Sequence, residues 1–274
     1  MKIRIITAVI ALLIFIPVLV FASVELFLGI NVIKLAISLI CAVAVYEACA
    51  CVGVKKEKIL VYPCIVLGIL LTLTITDGLK YYAPFGMLLL FFMLFVGVFS
   101  SKKENFSAQV LLELFGFVFY VVSSLGALYL VYTRLDAFFF PFVFVGAWVT
   151  DTFAYFTGVF FGRHKLIPEV SPKKTVEGAV GGTLFCIIGF VVCGLIQGVA
   201  GKGLIILGAL GFVAAIVAQL GDLSASLIKR QHGIKDYGKI FPGHGGILDR
   251  FDSILSVSVL LYLMTEINLG ALII

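Results

Sequence analysis

Three aspartates near the end of the chain are spaced for phosphate chemistry. Asp222 closes the apolar part of QLGDLSASLIKR, where Asp222, Ser226 and Lys229 recur at i, i+4 and i+7 and share one helical face. Asp249 and Asp252, in FPGHGGILDRFD, stand at i and i+3 where another apolar run begins, and also point one way. Two carboxylates on one helix and one on its predecessor make a hard, oxygen-rich donor set. Such a set suits Mg²⁺, which takes one or two protein carboxylates and leaves its other positions to water and phosphate. Gly243, Gly245 and Gly246 permit close backbone approach and can turn their amides toward an anion. Lys229, Arg230, Lys235, Lys239 and Arg250 lie around them, with Lys173 and Lys174 on an earlier loop. Acidic metal ligands ringed by cations suit a nucleoside triphosphate with Mg²⁺ and an anionic lipid head. The chain has no G-x-x-x-x-G-K-S/T phosphate loop and no H-E-x-x-H pair. His164, His232 and His244 are too scattered for a zinc site; His244, among the glycines, is either a hydrogen-bonding or packing residue or a catalyst.

These residues must be held by a membrane scaffold. Of 274 residues, 62% are hydrophobic and 13% charged, a balance that leaves too little charge for a soluble surface. Apolar runs long enough to cross a hydrocarbon core of about 30 Å recur throughout, so the sequence predicts an all-α polytopic bundle of about nine spans. They are expected at 4–23, 27–52, 59–76, 83–99, 107–132, 137–161, 178–198, 203–228 and 251–273. Lys2 and Arg4, KKEK (55–58), KKEN (102–105), the GRHK…SPKK loop and the basic loop at 229–239 fall on alternate connections. The other side has only Glu25, Asp77 with Lys80, Arg134 with Asp136, and Lys202. The positive-inside rule therefore predicts a cytoplasmic N-terminus and an external C-terminus. The basic, apolar start resembles a signal peptide, but its run exceeds a usual h-region and reads as a first span. The net charge of +5 belongs to the cytoplasmic loops; no basic soluble segment is present to bind nucleic acid. The six cysteines all lie in apolar runs and read as small buried hydrophobes. A single integral domain is expected, with spans lacking motifs in 1–135 and the chemistry in 136–274 and its two cytoplasmic loops, 162–177 and 229–248. Gly178 and Gly182 form a small-xxx-small pair that serves packing within one bundle or between two copies in a homodimer.

Ionisable residues within spans are costly and mark function unless they can reach the interface. Lys34 and Glu113, near span ends, are expected to reach it, and Glu47 is read the same way. Asp151, in GAWVTDTFAYFTGVFFG, lies several turns from either end on a short side chain, and is assigned to a polar cavity.

The stretch from Ser226 through Lys229, Arg230, Lys235, Asp236, Gly238 and Phe241-Pro-Gly-His-Gly-Gly-Ile-Leu-Asp249-Arg-Phe-Asp252 resembles the motif of the phosphatidate cytidylyltransferase (CDP-diacylglycerol synthase) family. A second block, Asp151 to Arg163 continuing through Pro168, Ser171, Pro172, Lys173, Lys174, Thr175, Glu177 and Gly178, is similar to that family's upstream loop. The number of spans and the length fit its bacterial members. The resemblance implies transfer of CMP from CTP to phosphatidate in the cytoplasmic membrane, releasing pyrophosphate, with the site facing the cytoplasm. It implies Asp222 and Asp249 as ligands of Mg²⁺, paired with K⁺, and gives Asp252 and Asp236 subsidiary places. Lys229 and Arg230 would hold phosphates. Lys173, Lys174, Ser171, Thr175, Ser226, Lys235, His244, Gly245, Gly246, Arg250 and Asp151 would contact nucleotide or lipid.

Two other readings share some of these residues. A CTP-dependent membrane lipid kinase would transfer the γ-phosphoryl group and release CDP. An ion transporter would line a path with Asp151, Asp222 and Asp249, but leaves the Gly- and Lys-rich loops unexplained. The D-G-x-x-A-R pattern of CDP-alcohol phosphotransferases is absent.

Overall fold

A computed structural model describes residues 13–27, 29–75, 82–100, 106–134, 136–243, 245–266 and 273. Residues 4–12 of the expected first span, 267–272 of the last, the Asp77–Lys80 connection, KKEN and His244 lie outside the described residues. The fold is mostly helical and divides into two compact units, Met1–Tyr129 with His232–Arg250, and Leu130–Gln231 with Phe251–Ile274.

In the first unit residues 13–20 are helical, and a short hairpin follows, β1 (Glu25–Phe27) and β2 (Ile30–Asn31), turning at Gly29, whose φ is 73°. This corrects the expected start of the second span at 27: Asn31 caps the helix instead, its side-chain oxygen accepting from the Lys34 amide at 3.0 Å. Helix α1 (Val32–Cys51) then packs on α2 (Lys58–Thr74). Gly68 lets them close against Cys41 and Val45, and Thr72 donates to Ser38 Oγ at 2.9 Å inside the contact. Two more helices follow, α3 (Tyr82–Phe99) and α4 (Ala108–Arg134). Gly86 and Gly97 of α3 admit Phe119 and Leu111 of α4. Lys34 does not reach outward as expected: it is buried, with Nζ 5.2 Å from the centre of the Tyr129 ring, a cation–π contact.

In the second unit, α5 (Asp136–Phe144) passes through a π-helical turn (Val145–Val149) into α6 (Thr150–Phe161). The wider turn frees a carbonyl at Gly146, which accepts from Thr150 Oγ1 at 2.6 Å, one residue before Asp151. A hairpin of β3 (Lys165–Ile167) and β4 (Ser171–Thr175), read from sequence only as a loop, leads into α7 (Val176–Ile196). Thr175 caps α7 through a bond from the Gly178 amide, and Glu177 reaches back to the amides of Arg163 and His164. Helix α8 (Lys202–Gln231) packs along α7, and α9 (Leu248–Glu266) enters this unit from Phe251 onward.

The small-xxx-small pair is used within the chain. Gly178 faces the Ala154 carbonyl and Gly182 the Thr150 carbonyl, so α6 and α7 approach at backbone distance. Phe153 stacks on Phe185 across the same contact, with centroids 3.9 Å apart.

Among the described residues, six helical segments are long and apolar enough to span a membrane: α1, α3, α4, Phe138–Phe161, α7 and α8. Helix α2 is shorter, at 17 residues, and α9 carries Asp249, Arg250, Asp252 and Glu266. Large apolar side chains such as Phe91, Phe99, Phe160, Ile196 and Ile205 point outward, as a bilayer requires and water does not. Five cysteines are buried and Cys193 is half-buried, with no disulfide among the described residues, which agrees with their reading as small hydrophobes.

Candidate active site

The second unit gathers carboxylates, hydroxyls and cations from four elements. Asp222 sits near the end of α8, with Ser226 Oγ donating to its Oδ1 at 3.5 Å along the expected face. The hairpin delivers Lys174, whose Nζ lies 2.5 Å from Asp222 Oδ2. Both side chains are less than a third exposed, so this pair is poorly screened. Neighbouring Lys173 is exposed and Ser171 half-buried on the same strand. Arg230 leaves the end of α8 to donate through Nε to the Val170 carbonyl at 3.3 Å, tying the helix to the hairpin tip.

Asp151 of α6 and Asp252 of α9 meet at Ser253. The Ser253 hydroxyl donates to Asp151 Oδ2 at 2.6 Å and lies 3.3 Å from Asp252 Oδ1. Asp252 feels the negative charges of Asp222 and Asp151 and the positive charge of buried Lys229. Gly221 explains how α8 comes so close to α9, because a β-carbon there would strike Ser256 and the Asp252 carbonyl. Asp151 therefore has a hydroxyl partner in Ser253. Ser253 was missed from sequence, though a hydroxyl beside Asp252 was its only local signal.

The first unit holds the Gly-rich stretch. Gly243 (φ 79°) and Gly245 (φ 87°) take left-handed conformations that close a tight turn, with the Phe241 amide bonded to the Gly245 carbonyl at 2.9 Å. Asp249, buried in the first turn of α9, accepts from the amides of Tyr237 at 2.8 Å and Gly246 at 2.9 Å. Lys235 and Asp236 are exposed in the preceding loop, and Arg250 is exposed in the first turn of α9.

Three residues outside the motif hold this stretch. Glu113 of α4 meets His232 Nε2 at 2.5 Å, and Phe117 packs its ring against Tyr237 at 5.6 Å between centroids. Glu47 of α1 accepts from the amides of Ile247 and Leu248 at 3.0 and 2.9 Å. Glu47, buried, thus finds its partners within the unit instead of reaching outward, which corrects its reading as a span-end charge. The Glu113 side chain stays 37% exposed while it pairs with His232. The space at Gly238 and Gly246 is filled by the Glu47 carboxylate.

No group of three or more His, Cys, Asp or Glu side chains forms a ready-made metal cage among the described residues. The donors present are carboxylate and hydroxyl oxygens, which fit Mg²⁺ in the manner that relies on phosphate oxygens to complete its sphere.

An integral-membrane helical fold with paired carboxylates and cations defines the class, and sequence comparison gives the family. The Cytidylyltransferase family model matches residues 2–268, and the chain belongs to that family. Its relatives include the phosphatidate cytidylyltransferase of Staphylococcus saprophyticus, 36% identical over 269 residues, covering 96% of this chain and 98% of that protein. The phosphatidate cytidylyltransferase of Staphylococcus aureus (strain COL) is 32% identical over the same shares of both chains. That of Brucella abortus biovar 1 is 44% identical over 127 residues, 46% of each chain.

Proposed function

We propose that the chain is a CTP:phosphatidate cytidylyltransferase of the bacterial cytoplasmic membrane. The observation that carries this is similarity along nearly the whole chain to relatives that bear that name. An oxygen of the lipid phosphate forms a bond to the α-phosphorus of CTP. The bond from that phosphorus to the bridging oxygen breaks, and pyrophosphate leaves with the electron pair. The nucleophile is already anionic, so no covalent enzyme intermediate is needed. The barrier is the approach of two polyanions, which positioned cations and dipoles lower.

Asp222 and Asp249 are assigned to Mg²⁺, with Asp252 subsidiary, and the resemblance adds K⁺ as a second ion. When bound, Mg²⁺ neutralises triphosphate charge and stabilises the leaving group. Lys229 and Arg230 hold phosphates; Lys173, Lys174, Ser171 and Thr175 meet nucleotide or lipid from the hairpin. By the same resemblance, Ser226, Lys235, His244, Gly245, Gly246, Arg250 and Asp151 are assigned to nucleotide or lipid. The charge pattern of the connections supports nine spans, a cytoplasmic N-terminus and a cytoplasmic site. In the purified protein, pyrophosphate release should require CTP, Mg²⁺ and phosphatidate together. Release of CDP with a newly phosphorylated lipid would instead establish the kinase reading.

A further inference from the structure

We propose that Glu47, far from the motif in sequence, is a positioning residue for the cytidylyl transfer, acting through Asp249. The inference rests on the assignment of Asp249 to the metal. Glu47 lies on α1 and is 3% exposed, yet neither carboxylate oxygen faces a cation in the bonds it makes. Each oxygen takes one backbone amide, from Ile247 and Leu248, the donors at the N-terminus of α9 that have no partner within the helix. The carboxylate thus caps α9 from a helix two hundred residues earlier in the chain, and its charge complements the helix dipole.

The cap sits where it controls Asp249. The Gly246 amide goes to Asp249, and the next two amides go to Glu47. Three consecutive N–H groups are therefore divided between two carboxylates, and one cannot move without the other. Gly246 and Gly238 lack β-carbons where the Glu47 carboxylate lies, so the Gly-rich turn is shaped around this side chain. A helix start fixed at two oxygens sets the direction in which Asp249 leaves α9.

The test compares Glu47→Gln with the parent in detergent, measuring kcat and KM for CTP and the Mg²⁺ concentration for half-maximal rate. Glutamine keeps the shape but turns an NH₂ toward one of the two amides. The expected result is normal insertion and monodispersity, kcat lower by about 10- to 100-fold, KM for CTP little changed and a higher Mg²⁺ requirement. Gly238→Ala, which displaces the same carboxylate without changing charge, should reproduce the kcat loss and carries the test if Glu47→Gln does not fold. Parental kcat and Mg²⁺ dependence in a folded variant would overturn the proposal and leave Glu47 a packing residue. Absence of CDP-diacylglycerol formation in the parent would instead overturn the functional reading beneath it.

Discussion

Replacing Lys174 by methionine isolates the charge that the β3–β4 hairpin brings to Asp222. The two groups are 2.5 Å apart, with side chains 26% and 22% exposed, so the pair is partly shielded from water. Methionine keeps most of the apolar stem and removes the ammonium. A hydrogen bond to a charged group contributes about 1.5–3 kcal/mol, and each 1.36 kcal/mol in the transition state corresponds to about tenfold in rate. If Lys174 also meets a phosphate during transfer, Lys174→Met should lower kcat/KM for CTP by about 10- to 150-fold. Lys174→Arg, which keeps the charge, should recover part of the loss. The assay is incorporation of labelled cytidylate into lipid in mixed micelles at fixed phosphatidate surface concentration, with thermal unfolding followed in parallel. A methionine variant with kcat/KM within twofold of the parent and a lower unfolding temperature would rule out a role for Lys174 in transfer. It would make Lys174 a structural partner of Asp222 and nothing more.

Two further outcomes follow from individual contacts. Asp249→Asn should abolish turnover while leaving the inserted protein folded, because an amide oxygen can still accept from Tyr237 and Gly246; full activity would remove Asp249 from the metal site. Gly221→Val should cost about 1–3 kcal/mol by overpacking, since its side chain would meet Ser256 and the Asp252 carbonyl, and should show as a lower unfolding midpoint in detergent.

The helical segments were legible because apolar runs of membrane length announce themselves, and most observed ends fall near the expected boundaries. The two hairpins were not. Strands of two to five residues flanked by polar loops carry no periodicity, and SPKKT reads as a loop until its pairing with KLI is seen. Spacing sufficed for Asp222 with Ser226, because one helix sets that distance. It could not reveal Lys174 against Asp222, which requires the hairpin to fold back on α8. Glu47 was the hardest case. A lone glutamate in an apolar run looks like a span-end charge, and its partners are backbone amides, which no side-chain pattern marks. Asp151 was the reverse: its depth within an apolar run signalled a polar partner, and Ser253 supplied it.

Cytidylyl transfer moves the α-phosphoryl group of CTP to the lipid, and one labelling measurement distinguishes it from γ-phosphoryl transfer. The purified protein is given phosphatidate and Mg²⁺ with CTP labelled either at the α- or at the γ-phosphorus. The α-label is expected to pass into the organic-soluble product and the γ-label to stay in water as pyrophosphate. Transfer of γ-label to the lipid, with α-label left in water as CDP, would contradict cytidylyl transfer.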